Sequence, residues 1–320
     1  MTVCTEAPWP GYGEQGVRSG KGMASGVLKG VVRAMRPPFL LLSPLCVLLG
    51  IATAVEVGVT PDPRLATLVV LGALLAHGAT NLLNEYHDFR SGLDLRTTRT
   101  PFSGGSGALP AQPAAAPAVL MAALAGVGLS IALGVYLTLQ AGPGLLLVGL
   151  LGVVLMVAYT PLITRSALLC LIAPGLGFAL IQIGTHYVLT ARFNPELFWV
   201  ALTPLCLVSA LLLINQFPDV EADRAVQRGH LPIRLGRPRA ARVFAVLVGG
   251  AYVAPVAAVG VGGLSAGLLL ALLPMPVAGL VAARVMRLAR RPQALTPWLG
   301  VNVAVVLTTL LLLALGLLLV

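Results

Sequence analysis

Apolar residues run along this chain in stretches of about 20, the length a helix needs to cross about 30 Å of hydrocarbon, and short polar segments separate them. The stretches fall near residues 38–57, 65–84, 117–138, 143–161, 167–189, 197–217, 243–261, 264–283 and 298–320. This pattern predicts an all-α polytopic membrane protein, a bundle of nine transmembrane helices with polar loops at one end. Residues 1–37 are polar and glycine-rich and lack the apolar run of a cleaved signal peptide. Residues 1–32 therefore read as a flexible tail and residues 33–320 as one membrane domain.

Composition strengthens this picture. Hydrophobic residues make up 58% of the chain and charged ones only 10%, against about 25% in a soluble domain. The net charge of +10 would suit nucleic acid, but 19 of the 21 Lys and Arg residues lie in the N-terminal tail or in alternate loops, and only Arg64 and Arg192 lie in the others. The positive-inside rule makes the tail and the basic loops cytoplasmic and places the C-terminus outside. The basic residues are then topology signals and contacts to the lipid bilayer, with no nucleic-acid partner. Cys4, Cys46, Cys170 and Cys206 show no metal-ligand spacing, and three of them sit in apolar runs as small hydrophobes.

The acids carry the chemistry. Of 11 acidic residues, six (Glu85, Asp88, Asp94, Asp219, Glu221 and Asp223) fall in "NLLNEYHDFRSGLD", from Asn81, and "INQFPDVEADRAVQRGHLPIRLG", from Ile214. Carboxylates this close to hydrocarbon are costly and need a purpose. Asn84-x-x-x-Asp88 matches Asn215-x-x-x-Asp219, 131 residues on, as a weak internal repeat. Helical spacing puts Asn84 and Asp88 on one face, and Asn215, Asp219 and Asp223 on a second stripe at i, i+4, i+8. Two such faces opposed would make an oxygen-rich pocket suited to Mg²⁺, which shares a few carboxylates with substrate phosphates.

Arg90, Arg96, Arg99, Arg165, Arg224, Arg228 and Arg234 are interleaved with these acids, Arg36 stands just before the first span, and guanidinium groups suit a diphosphate. The bland alternative is that interfacial acids and arginines simply pair with one another. Gly104, Gly105 and Gly107 in "FSGGSGALP" read either as a simple turn or as a loop whose N–H groups approach phosphates. His87, between acids, reads either as a surface-facing loop residue or, with Glu85, as a possible acid or base; His77 and His186 read as substrate-facing or, in preference, as hydrogen-bonding within the bundle, and His230 as a loop residue.

These motifs resemble those of the UbiA superfamily of intramembrane prenyltransferases, and "RTPFSGGSGALP" and "AYTPLITR" extend the likeness over residues 33–320. Both acidic stretches are most similar to the branch that prenylates 1,4-dihydroxy-2-naphthoate in menaquinone synthesis. Three positions depart from the family pattern: Glu85 stands where many relatives have Asp, Gly92 precedes the displaced Asp94, and Pro218 replaces a frequent Arg. The resemblance implies a Mg²⁺-dependent transferase that takes a polyprenyl diphosphate and an aromatic acceptor. Asn84, Asp88, Asp94, Asn215, Asp219 and Asp223 would hold the metal. Arg36, Arg96, Arg99, Arg165, Arg224 and Arg228 would bind diphosphate, and the ring of Tyr159 would face the carbocation. An intramembrane terpene cyclase uses the same metal motifs, and a secondary transporter also combines many helices with buried charge, nearer the bilayer midplane.

Overall fold

A computed structural model describes residues 20–319, and within them the chain is helical, with no strand among the described residues. Residues 1–19 of the segment read as a tail lie outside the described residues; from Gly20 onward it forms helix α1 (Gly20–Ala34). The bundle follows as α2 (Pro37–Glu56), α3 (Pro63–Arg90), α4 (Pro113–Ala141), α5 (Leu145–Ala158), α6 (Ala167–Thr190), α7 (Pro195–Asn215), α8 (Val220–Ala225), α9 (Arg237–Gly260), α10 (Ala266–Leu288) and α11 (Pro292–Leu318).

Among the described residues eight helices are long and apolar enough to cross a membrane. The expected span near 143–161 is the 14-residue α5, about 21 Å long at 1.5 Å per residue. Gly142 and Pro143 delay its start, and it ends ahead of Pro161. Conversely, α3 continues six residues past the apolar run expected to end at 84, because Glu85 and Asp88 find partners inside the protein. Its start is fixed by Asp62, whose carboxylate accepts from the N–H groups of Arg64 (2.7 Å) and Leu65 (3.4 Å).

Close helix contacts hold the bundle. A Cβ at Gly50 on α2 would lie 2.6 Å from the Gln182 carbonyl of α6, and one at Gly175 on α6 would run into the Leu205 carbonyl of α7. Leu49, Leu207, Leu310 and Leu313 fill the seam of α2, α7 and α11, while Ala34, Leu82, Leu109 and Val119 join α1, α3 and α4. Large apolar side chains such as Leu139, Leu147, Val246 and Val261 face outward, as lipid contact demands. The gap left between α3 on one side and α6 and α7 on the other holds the polar cavity described next.

Candidate active site

The last turns of α3 carry Asn84 and Asp88 one helical turn apart. The helix stops at Gly92, whose φ of 73° ends it in the left-handed region, and the following turn, Leu93–Leu95, buries Asp94. Opposite, α7 ends at Asn215. Tight bonds from Gln216 N–H to the Leu213 carbonyl and from Phe217 N–H to the Ile214 carbonyl lead to Pro218 and Asp219, where α8 restarts. The expected i, i+4, i+8 stripe of Asn215, Asp219 and Asp223 is therefore not a single helical face. Pro218 lacks the N–H a continuous helix would use, and Arg237 Nε caps the free Phe217 carbonyl at 2.8 Å.

Despite that break, Asn84, Asp88, Asp94, Asn215, Asp219 and Asp223 all line one cavity of about 190 Å³, together with Arg36, Tyr159 and Arg228. Its deeper wall is apolar, formed by Phe39, Leu42, Phe178, Leu211 and Leu212. His77 reaches the same wall, with Nδ1 2.8 Å from Ser43 Oγ.

The glycine-rich loop closes over the acids and is tied down by them. Gly104 N–H donates to Asp219 Oδ2 at 3.0 Å. Ser106 donates to Glu85 through N–H (3.1 Å) and Oγ (2.6 Å), and Ala108 N–H adds a third bond at 3.2 Å. At Gly105, φ is +77° and a Cβ would run into Asp94 Oδ1, so only glycine fits between the loop and that carboxylate. The Gly104 N–H, one of the loop donors read as approaching phosphate, is thus directed at Asp219.

Charge in the site centres on Arg228, a single guanidinium that bridges both halves. It contacts Asp88 Oδ1 and, at 2.9 Å, Asp223 Oδ1. Burial works against its charge, yet Asp88 and Asp223 hold its pKa above the usual value. The other Asp223 oxygen lies 2.8 Å from His230 Nε2, and His230, in the loop as expected, is fully buried there. Burial, with the neighbouring Glu85 and Asp88 charges, pushes Asp94 up to about 7. Burial and Asp223 likewise push Asp219 up to about 7 against the pull of Gly104 N–H and Arg228.

Other expected site residues lie elsewhere. Glu85 does not line the cavity; its buried carboxylate anchors the loop, 3.5 Å from Arg36. His87 stacks edge-on against Tyr86 outside the cavity. Arg96 and Arg165 are exposed, Arg224 pairs with Glu221 at 3.0 Å on the surface, and Arg99 lines a neighbouring hollow with Arg33 and Arg36. Sequence reasoning missed His230, whose only signal is its place seven residues after Asp223, and Asn81, which donates to the Met35 carbonyl at 2.8 Å one turn before Asn84.

Among the described residues no group of three or more His, Cys, Asp or Glu side chains is gathered closely enough to enclose a metal by itself. The donor set still fits a hard cation shared with a ligand. Asp94 Oδ2 and Asn215 Oδ1 are buried oxygen atoms without a hydrogen-bond partner, an arrangement that is costly unless something positive meets them.

Residues 43–303 match the UbiA prenyltransferase family. The 1,4-dihydroxy-2-naphthoate octaprenyltransferase of Bacillus subtilis (strain 168) is 31% identical over 250 residues, which span 75% of this chain and 77% of that one. An apo UbiA homolog from Aeropyrum pernix K1 has a TM-score of 0.67 at 18% identity, over 88% of this chain and 98% of that one. A UbiA homolog from Archaeoglobus fulgidus, bound to GPP and Mg²⁺, has a TM-score of 0.57 at 15% identity, over 89% and 99%. At those identities the two structures speak to the fold.

Proposed function

Because the chain belongs to the UbiA prenyltransferase family, we propose that this membrane-embedded prenyltransferase moves a polyprenyl group from its diphosphate to 1,4-dihydroxy-2-naphthoate, with Mg²⁺ as cofactor. The observation that carries the chemistry is the convergence of both Asn-x-x-x-Asp motifs on one cavity that also holds Arg228 and two partnerless oxygen atoms. The choice of acceptor is supported by the likeness to the Bacillus subtilis enzyme. The basic loops support a cytoplasmic site, with the N-terminus inside and the C-terminus outside.

Asn84, Asp88, Asp94, Asn215, Asp219 and Asp223 would hold Mg²⁺. The bound ions supply positive charge that offsets the charge developing on the departing diphosphate. Arg228 and Arg36 face the same volume and bind diphosphate oxygen more strongly as the allylic C–O bond breaks. Phe39, Leu42, Phe178, Leu211 and Leu212 accept apolar substrate and keep water out, and the Tyr159 ring offers an electron-rich face to the allylic cation. An acceptor ring carbon then bonds to the allylic carbon, and the acceptor carboxyl leaves as CO₂.

Purified protein in lipid nanodiscs, given prenyl diphosphates of several lengths with dihydroxynaphthoate or hydroxybenzoate, tests this directly. The expected product is a prenylated naphthoquinol that forms only with Mg²⁺. A cyclised hydrocarbon made without any aromatic acid would identify a terpene cyclase instead, and prenylated hydroxybenzoate alone would change the acceptor.

A further inference from the structure

We propose that His77, oriented by Ser43, binds a ring oxygen of the aromatic acceptor. This rests on the acceptor reading above and adds the residue that recognises it.

His77 lies on α3 seven residues before Asn84, so its backbone sits about 10 Å deeper along the helix than that of Asn84. Offsets of four, seven and eleven residues put Asn81, Asn84 and Asp88 on the same helical face, and all four line the cavity. A histidine at that depth among apolar residues needs a partner for each ring nitrogen. Nδ1 has one, the Oγ of fully buried Ser43 at 2.8 Å. Ser43 Oγ has no other hydrogen-bond partner among the described residues. With Nδ1 as its single partner there, the Ser43 hydroxyl is satisfied by donating to Nδ1, which would leave the ring hydrogen on Nε2. Phe178 of α6 meets the imidazole edge-on, with ring centroids 5.1 Å apart and planes at 82°, which fixes the ring plane from the other side.

Nε2 is left with no partner among the described residues, and His77 lines the cavity wall. One turn nearer the mouth, Asn81 uses its Nδ2 on the Met35 carbonyl, and its Oδ1 has no partner among the described residues. The deep wall thus presents an N–H donor and an amide oxygen about one turn apart, between Phe178 and Leu211. A prenyl tail has nothing to offer either group and would leave the N–H unpaired. The diphosphate is claimed by acids and arginines a further two turns away. A flat hydroxylated ring satisfies both: its faces suit the apolar walls, one oxygen accepts from Nε2, and its attacked carbon is directed toward the allylic end.

The test compares dihydroxynaphthoate with its two monohydroxy analogues, 1-hydroxy-2-naphthoate and 4-hydroxy-2-naphthoate, in wild type, His77→Phe, His77→Gln and Ser43→Ala. Removing a hydroxyl changes ring reactivity equally in every protein, so the ratio of preferences isolates the contact. Preference in kcat/KM for the diol over one analogue is expected to fall about 10-fold in His77→Phe and about 3-fold in Ser43→Ala, where the ring is freed. His77→Gln, which keeps an N–H donor, should retain most of it, and the donor KM should stay within about 2-fold throughout.

If His77 served only to pin α2 to α3, the substitutions would lower stability and all activities alike and leave the preference unchanged; that result overturns the proposal. If His77→Phe does not fold, Ser43→Ala decides it by the same ratio. Wild type that releases diphosphate yet prenylates no naphthoate overturns the acceptor reading and this inference together, whereas an active wild type with unchanged ratios overturns this inference alone.

Discussion

The two acidic motifs look alike in sequence but are supported differently. The first starts on an unbroken helix that carries Glu85 and Asp88 and ends in the turn that carries Asp94, and its three acids do three things: Asp88 meets Arg228, Asp94 packs under Gly105, and Glu85 turns away to hold the loop through Ser106 and Ala108. The second is broken at Pro218, and its acids are held by the glycine-rich loop and by the segment just after α8, with Asp219 on Gly104 N–H and Asp223 on Arg228 and His230. A repeated Asn-x-x-x-Asp thus produces one rigid half and one assembled half. Their meeting point is Arg228, which touches an acid from each.

The largest expected effect comes from removing one carboxylate on either side. Asp88→Asn and Asp219→Asn should each lower diphosphate release by about 1,000-fold or more, since both face the same volume and neither half holds a diphosphate alone. A phosphate-release assay at saturating donor checks this. A normal rate in both variants would refute the shared metal site, and a normal rate in one alone would show that its half only supports the other.

Glu85→Ala probes the supporting role. It removes the acceptor of the Ser106 donors and the partner of Arg36 and leaves Ala108 N–H with Ser106 Oγ alone, and a loss of about 2–3 kcal/mol in stability is expected, with the loop loosened. Thermal unfolding in detergent measures it. A variant of unchanged stability would mean that the loop does not depend on this carboxylate. The loop's other contact is tested by Gly105→Ala, which forces a side chain into φ +77° and against Asp94. A smaller loss of about 1–2 kcal/mol is expected, with donor KM raised more than kcat is lowered.

Much of this was legible in the sequence, and for physical reasons. Apolar runs of membrane length locate the long helices, and i, i+4 spacing correctly puts Asn84 and Asp88 together, because both properties are local. What escaped depends on partners distant in the chain. Glu85, one residue off the Asn84 and Asp88 face, reads as a possible acid or base until Ser106 and Ala108 fold back onto it, 21 and 23 residues later. His230 reads as a loop residue because the burial that couples it to Asp223 comes from the surrounding fold. Of the arginines near the acids in sequence, only a three-dimensional arrangement separates Arg36 and Arg228, inside the cavity, from Arg96, Arg165 and Arg224 on the surface. The stripe across Asn215, Asp219 and Asp223 failed at Pro218, a residue whose helix-breaking chemistry was visible all along.

The smallest expected effect distinguishes the halves by proton rather than by mutation. Asp94, in the first half, and Asp219, in the second, are both pushed up to about 7, from an ordinary value of about 4 in the unfolded chain. A carboxyl whose pKa is raised on folding binds more protons in the folded state between those values. Without metal, stability should therefore be greatest near pH 4 and fall as pH rises toward 7, levelling above it. A decline on the order of 5 °C in Tm across that window is expected, and Mg²⁺ should reverse it at pH 8 while doing little at pH 5, where protons occupy the same oxygen atoms. In Asp94→Asn only the contribution of the first half disappears, and in Asp219→Asn only that of the second. Equal residual slopes would show two halves titrating independently, whereas loss of the whole slope in one variant would show that the carboxylates act as one coupled site spanning the break between α3 and α8.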